Sequence, residues 1–259
     1  MRFFKLCFVL VVFFSFFAPD SAQAKTFDFS DWSILLKKYV SPNMIDGVLL
    51  NTVDYGELRL DSVFPRLVND LKLFSPSKLK THEEKLAFWI NVYNVFAVKV
   101  VIDNYPLKSI KDAGGFFKSV WKLKAGIVGG KEYTLAEIEH EILRKMGEPR
   151  IHTAIVCASI SCPDLSIEVF KPGMLNEQLD IQMRNFLANP GKGMRVGARG
   201  GFKRIYLSPI FDWFEEDFES SGGVLKFIEP YVAPKYGRAF KNHALPVSYM
   251  DYNWSVNGS

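Results

Sequence analysis

The sequence predicts an α+β fold: a helix-rich single domain in which a buried central helix packs on a small, mainly antiparallel sheet. Three observations predict it. The stretch THEEKLAFWINVYNVFAVKVVIDNY, from Thr81, is apolar on almost every side through its middle, the mark of a helix enclosed by the fold. Helical spacing outweighs strand alternation along the chain, and the strand signals gather in the second half. The 259 residues are 15% aromatic, with 23 Phe, enough to bury one substantial core.

Residues 1–24 carry two early positive charges, an apolar run from Leu6 to Ala18 and an A-x-A ending. A signal peptide cleaved after Ala24 is therefore expected, with the mature protein periplasmic or secreted. The run is shorter than the roughly 20 residues that cross a bilayer, and Pro19 and Asp20 stop it, so no stable membrane insertion is expected after cleavage. Cys7 falls in the discarded segment. Cleavage removes Arg2, Lys5 and Asp20 and moves the formal charge from +4 to +3. No Lys/Arg stripe tracks along the chain, which argues against a nucleic-acid partner.

Residues 25–74 read as a helical N-terminal extension, with FSDWSILLKKYV capped by Ser30 or Asp31 and FPRLVNDLKLF following. Residues 75–259 form the main domain and its C-terminal tail. Thr81 and Glu84 are spaced as a capping box at the head of the central helix. Asn91 and Asn94 break its apolar cylinder three residues apart, on one face. An amide buried without partners costs about 1–3 kcal/mol, so the two either fasten neighbouring backbone or line a polar site.

KLKAGIVGGKEYTL reads as a hairpin turning at Gly129-Gly130. Thr134 and Glu137 form a second capping box, and the amphipathic helix LAEIEHEILRKMG ends at Gly147. RIHTAIVC reads as a buried strand. Residues 174–189 suggest a helix around Leu175, Leu179 and Phe186, and GARGGFKRIYLS an edge or hairpin strand. Ser208-Pro209 starts PIFDWFEEDF, VLKFIEPYV is a short helix, and the tail past Pro234 is loop with a strand at ALPVSYMDY.

The chemistry concentrates in HTAIVCASISC, residues 152–162. Cys157 closes the expected strand and a small-residue connection leads to Cys162, a placement common for reactive groups. His140, in the middle of EIEHEIL, is a candidate base, with Glu137 able to reach its face while Glu139 and Glu141 point elsewhere. An imidazolium lowers a neighbouring thiol's pKa from about 8.5. His152 is five residues before Cys157 on the same expected strand and should face the opposite way. His82 and His243 lie in hydrophilic surroundings and read as surface residues. A disulfide, two inert buried thiols and a catalytic thiol all remain open. Cys157, Cys162 and His152 lack the clustered second pair of a structural zinc site.

The ordered motifs FWINVYN, YPLKSI, GGKEYTLAEIEHEIL, PRIHTAIVCASISCP and LSPIFDWFEEDF resemble the domain of unknown function 547 over roughly residues 75–230. That family occurs in bacterial exported proteins and at the C-terminal end of plant leucine-zipper proteins. The resemblance implies a shared fold and marks Asn91, Asn94, Glu139, His140, Cys157 and Cys162 as signature positions. Plant members often carry serine at the second cysteine, which favours Cys157 as the working thiol and weakens the disulfide.

The leading expectation is a periplasmic cysteine-dependent hydrolase or acyltransferase acting on peptide or amide bonds, with a papain/transglutaminase-like arrangement. Cys157 is its nucleophile and His140 its base. Glu137, Asn91 or Asn94 would orient that base, with Asn94, Ser159 and Ser161 at the substrate and backbone amides from Ala158 to Ser161 as oxyanion donors. No metal and no cofactor are expected, and a small peptide or amide is the expected partner. The alternative is a non-catalytic peptide- or protein-binding module with an apolar groove between the FWINVYN helix and DWFEEDF.

Overall fold

The computed structural model describes residues 26–114, 119–240 and 245–259. The expected signal peptide, Cys7 and His243 lie outside the described residues. The class is α+β, with helix outweighing strand.

The chain enters through α1 (Ser30–Tyr39), capped from Asp28, whose carboxylate accepts the Ser30 amide at 2.9 Å, rather than by Ser30 or Asp31. It then makes a hairpin that helical reading missed, β1 (Val40–Ile45) and β2 (Val48–Val53). Its two-residue turn is Asp46-Gly47, both at positive φ, the backbone that a tight hairpin requires and that Asp-Gly supplies at low cost. The one-turn α2 (Tyr55–Leu58) and α3 (Val63–Leu73) follow. Trp32, Leu35, Leu67 and Leu71 join one core with the central helix, so the N-terminal segment is packed into the main body.

That helix is α4 (His82–Asp103), and the Thr81–Glu84 capping box forms in both directions. It is long and apolar enough to cross a membrane, yet 83% of its most apolar window is buried inside the protein, which identifies a core helix. The hairpin β3 (Lys124–Val128) and β4 (Lys131–Thr134) turns at Gly129-Gly130, both at positive φ. At Gly126 a Cβ would sit 2.3 Å from the Phe96 ring, so glycine there lets β3 lie flat on α4.

Beyond Thr134 come the helical residues that build the site, then α5 (Leu175–Ala188). A second cluster, centred on Met183, Phe186, Ile205, Phe211 and Phe218, holds β5 (Met194–Arg199) and β6 (Phe202–Leu207) with α6 (Ile210–Trp213), α7 (Val224–Ile228) and α8 (Gly237–Phe240). The strand β7 (Val247–Tyr249) pairs parallel to β6. The strands thus divide among three small sheets, two of them bare hairpins. The last ten residues run as a strap: Val53 pairs with Gly258, Ser109 with Ser255 and Ser159 with Val256. It ties the first hairpin to the cysteine loop.

Candidate active site

Two segments differ from expectation, and both differences bring side chains together. Residues Glu137–Leu143 form a π-helical stretch and not a regular α-turn. Such wide turns cluster at functional sites because they re-aim side chains. Here Glu139 turns inward and is buried, while Glu137 stays at the exposed surface, closed in its capping box with Thr134. Glu137 is therefore a helix cap and does not orient His140.

The second correction is RIHTAIVC, which is no strand. Pro149–Thr153 is a 3₁₀ turn with Pro at its start, and the Glu148 side chain accepts the Arg150 amide. Arg150 pins the turn to α5 through Asp180. Strand alternation therefore does not apply, and His152 lines the same cavity as Cys157. Its Nε2 lies 2.6 Å from the Asp217 carboxylate and its ring stacks on Phe214 at 4.0 Å.

Asn94 holds the irregular stretch in place. Its amide donates to Ala154 O and its carbonyl oxygen accepts from Val156 N, at 2.9 and 3.0 Å. Asn91 clamps Phe170 in the same two-bonded way, at 2.8 and 3.0 Å. Both side chains are buried and fully engaged by backbone, so neither orients a base nor meets a substrate. Asn94 fixes the main chain just before Cys157.

Ala158, next to Cys157, has φ 56, an uncommon conformation for a residue with a Cβ and of the sort concentrated at functional sites. The strap holds it, because Asn257 N donates to Ala158 O at 3.1 Å. Strap residues also engage the amides of Ile160 and Ser161, through Ser255 O and Asn253 O, and Cys162 N donates to Ser159 O. These three amides are not free for an oxyanion. Ser161 Oγ accepts from Asn253 N, so it anchors the strap and does not face a substrate.

Both cysteines are free thiols. Cys162 is buried, and its sulfur accepts the Cys157 amide at 2.9 Å. Cys157 is partly exposed, with Ser159 Oγ at 3.1 Å and the Tyr252 hydroxyl at 3.2 Å. Ser159 Oγ and the Tyr252 oxygen lie 3.2 Å apart, and each hydroxyl is within reach of the sulfur to donate its proton there. Hydrogen bonding from Cys162, then from Ser159 and Tyr252, outweighs burial and lowers the Cys157 thiol to about 7. Burial pushes Cys162 well above its usual value. The sequence singled out Cys157 and Ser159, and these meet at the thiol; among the described residues no imidazole is a hydrogen-bond partner of the sulfur.

The cavity over Cys157 measures about 290 Å³. His140, His152 and Glu139 enter it, and Trp121, Trp213, Phe214, Tyr252 and Trp254 form an aromatic wall. The Trp213 and Trp254 rings stack 5.6 Å apart. His140 Nδ1 lies 3.3 Å from Arg144, which also grips Asp217 through two bonds of 2.7 and 2.8 Å. A guanidinium only donates, so Nδ1 accepts and the His140 proton sits on Nε2. Burial and the Arg144 charge lower the His140 pKa. Burial lowers His152 as well, against the pull of Asp217. Burial opposes the Asp217 charge, but hydrogen bonds from His152 and Arg144 hold that carboxyl well below its usual range. Glu139 is pushed up to about 7 by burial, against the hydrogen bond that Tyr93 donates at 3.1 Å.

Glu139, a signature position only through the resemblance, and His152, expected to face away, both line the cavity, and Asp217, not singled out in the sequence, bonds His152. The initial Pro149 was the available signal for the 3₁₀ turn. Asp217, Tyr252 and Trp254 come from distant segments and carry no local signal.

Residues 76–187 match the family model described as Protein of unknown function, DUF547, in agreement with the resemblance carried by the motifs. The matched span holds α4, Glu139, His140, His152 and Cys157; Asp217, Tyr252 and Trp254 lie beyond it. No curated protein and no solved structure matches the chain.

Proposed function

We propose that the protein is a cysteine-dependent hydrolase or acyltransferase acting on peptide or amide bonds, with Cys157 as nucleophile and His140 as its base. One observation carries the reading: a partly exposed thiol, biased toward its anion by donors, shares a cavity with two histidines. His140 takes the thiol proton at Nδ1, its unprotonated nitrogen, as Arg144 gives up that contact and stays with Asp217; burial and the Arg144 charge keep the resting imidazole neutral. The sulfur then bonds to the substrate's carbonyl carbon, the amine leaves, and water or a second amine takes the acyl group. His152, Asp217 and Arg144 form the charged frame that holds His140. The aromatic wall suits an apolar side chain beside the scissile bond. A cysteine–histidine cleft also fits the papain/transglutaminase-like arrangement. The basic, apolar and A-x-A pattern of residues 1–24 favours a periplasmic or secreted setting; an intact mass of the exported protein that retains those residues would contradict it.

Turnover of N-acyl dipeptide p-nitroanilides and thioesters tests the reaction. Cys157→Ala and His140→Ala are each expected to reduce turnover to background with the fold intact by circular dichroism. Wild-type turnover in Cys157→Ala would end the thiol reading. A non-catalytic peptide-binding module is the second reading, favoured by the sulfur's hydroxyl partners and the aromatic wall. It takes first place if peptides bind the wild-type protein but none is cleaved or acylates Cys157.

A further inference from the structure

Glu139 is buried, yet its carboxyl lines the cavity that holds the Cys157 thiol. Only one oxygen is bonded: Oε2 accepts the Tyr93 hydroxyl at 3.1 Å. Oε1 has no hydrogen-bond partner among the described residues, and it is not a sealed orphan, since no buried side-chain oxygen there lacks a partner. It is therefore open to the cavity. Among the described residues no cation pairs with the group; the guanidinium of Arg144, whose charge reaches it, is bonded to Asp217 and Glu216. A buried carboxyl with one fixed oxygen, one open oxygen and no ion-pair partner is arranged to carry a proton.

Resting on the thiol-hydrolase reading, we propose that Glu139 is a further catalytic residue, the proton donor to the leaving amine, and that Tyr93 is its positioning residue. When the tetrahedral adduct on Cys157 collapses, the carbon–nitrogen bond breaks and its electron pair takes the proton from Oε1, so a neutral amine departs. The Glu139 carboxylate then takes a proton from the incoming water as that oxygen bonds to the acyl carbon. The sulfur leaves as thiolate, and Glu139 is again protonated. His140 holds the thiol's proton through these steps and returns it to the released thiolate.

The groups that act on this carboxyl come from every side: Tyr93 from α4, Cys157 from its loop, Arg144 from the same helical stretch, and Asp217 from the segment after α6. Burial, the leading influence, holds Glu139 near 7 and so keeps an acid present at neutral pH.

The test compares two probes with one acyl group, N-acetyl-phenylalanine p-nitroanilide, whose leaving nitrogen needs a proton, and the p-nitrophenyl ester, whose phenolate does not. E139Q should lose about 100-fold more kcat/KM on the anilide than on the ester, and the alkaline limb of the anilide's pH profile should disappear. Equal losses on both probes would overturn the donor role and leave the Cys157 reading standing. Iodoacetamide labelling of Cys157 supplies an arm that needs no turnover. Replacing an ionisable neighbour by a neutral one should move the labelling midpoint to lower pH in E139Q, and an unmoved midpoint would overturn the shared site. If wild-type protein cleaves neither probe and Cys157 is inert at pH 7, the thiol-hydrolase reading and the donor role fall together.

Discussion

The central helix presents two kinds of polar residue within one turn, and they behave oppositely. Asn91 and Asn94 each make two bonds to backbone, so that neither polar atom is left without a partner. Tyr93, between them, is buried too, but its hydroxyl donates to Glu139, whose second oxygen opens to a cavity. Burial alone therefore does not mark function. What separates the two sets is a polar atom without a partner: a clamp bonded at both atoms holds the fold, and an open oxygen is available to a substrate or a proton.

The largest effect should sharpen that division. Cys157→Ala should lower turnover by at least about 1,000-fold while melting as the wild type does, because the nucleophile is lost and only a partly exposed side chain is trimmed. Asn91→Leu should do the reverse. It leaves the Phe170 amide and carbonyl unpaired in the core, a loss of about 2–5 kcal/mol in urea denaturation, with Cys157 labelling unchanged in the molecules that remain folded. A normal Cys157 rate with lost stability keeps the comparison; a lost rate at full stability breaks it.

A smaller effect comes from pH. The folded pKa of Glu139 is raised from 4.5 to about 7, so the fold favours its protonated form. That stabilisation is complete below about pH 4.5 and is lost as pH rises through 7. Between pH 4.5 and 8.5 the wild type should lose up to about 3 kcal/mol that E139Q retains. Parallel stability curves would place Glu139 with the closed clamps. The smallest effect is expected at Cys162, which leads the donors lowering the Cys157 thiol. Cys162→Ala should move the labelling midpoint upward, while Cys162→Ser, which keeps a donor, should retain most reactivity.

Much of this architecture was legible because the signals were local. The Thr81–Glu84 and Thr134–Glu137 capping boxes, the Gly129-Gly130 hairpin and α4 all rest on residues a few positions apart. The Asp46-Gly47 turn was equally local and was hidden by the helical spacing on either side. Of the residues that line the cavity, the sequence named Cys157 and His140 but not the charged groups around them. A π-helical turn changes which residues share a face, so α-helical spacing chose Glu137 where Glu139 is the carboxyl that faces the cavity. Apolar composition made RIHTAIVC read as a strand, whereas Pro149, Glu148 and Arg150 close it into a 3₁₀ turn that points His152 to the cavity. Asp217, Tyr252 and Trp254 arrive through tertiary packing, which no short window contains.

The proposed mechanism requires Cys157 to be poised as a thiolate while its neighbour Cys162 is closed off. Iodoacetamide labelling across pH, with each cysteine read separately by peptide mass spectrometry, measures this directly. Half-maximal labelling of Cys157 is expected near pH 7, with Cys162 unlabelled in the folded protein over the same range. Labelling of Cys157 only above about pH 8.5, as for an ordinary thiol, or preferential labelling of Cys162, would contradict it.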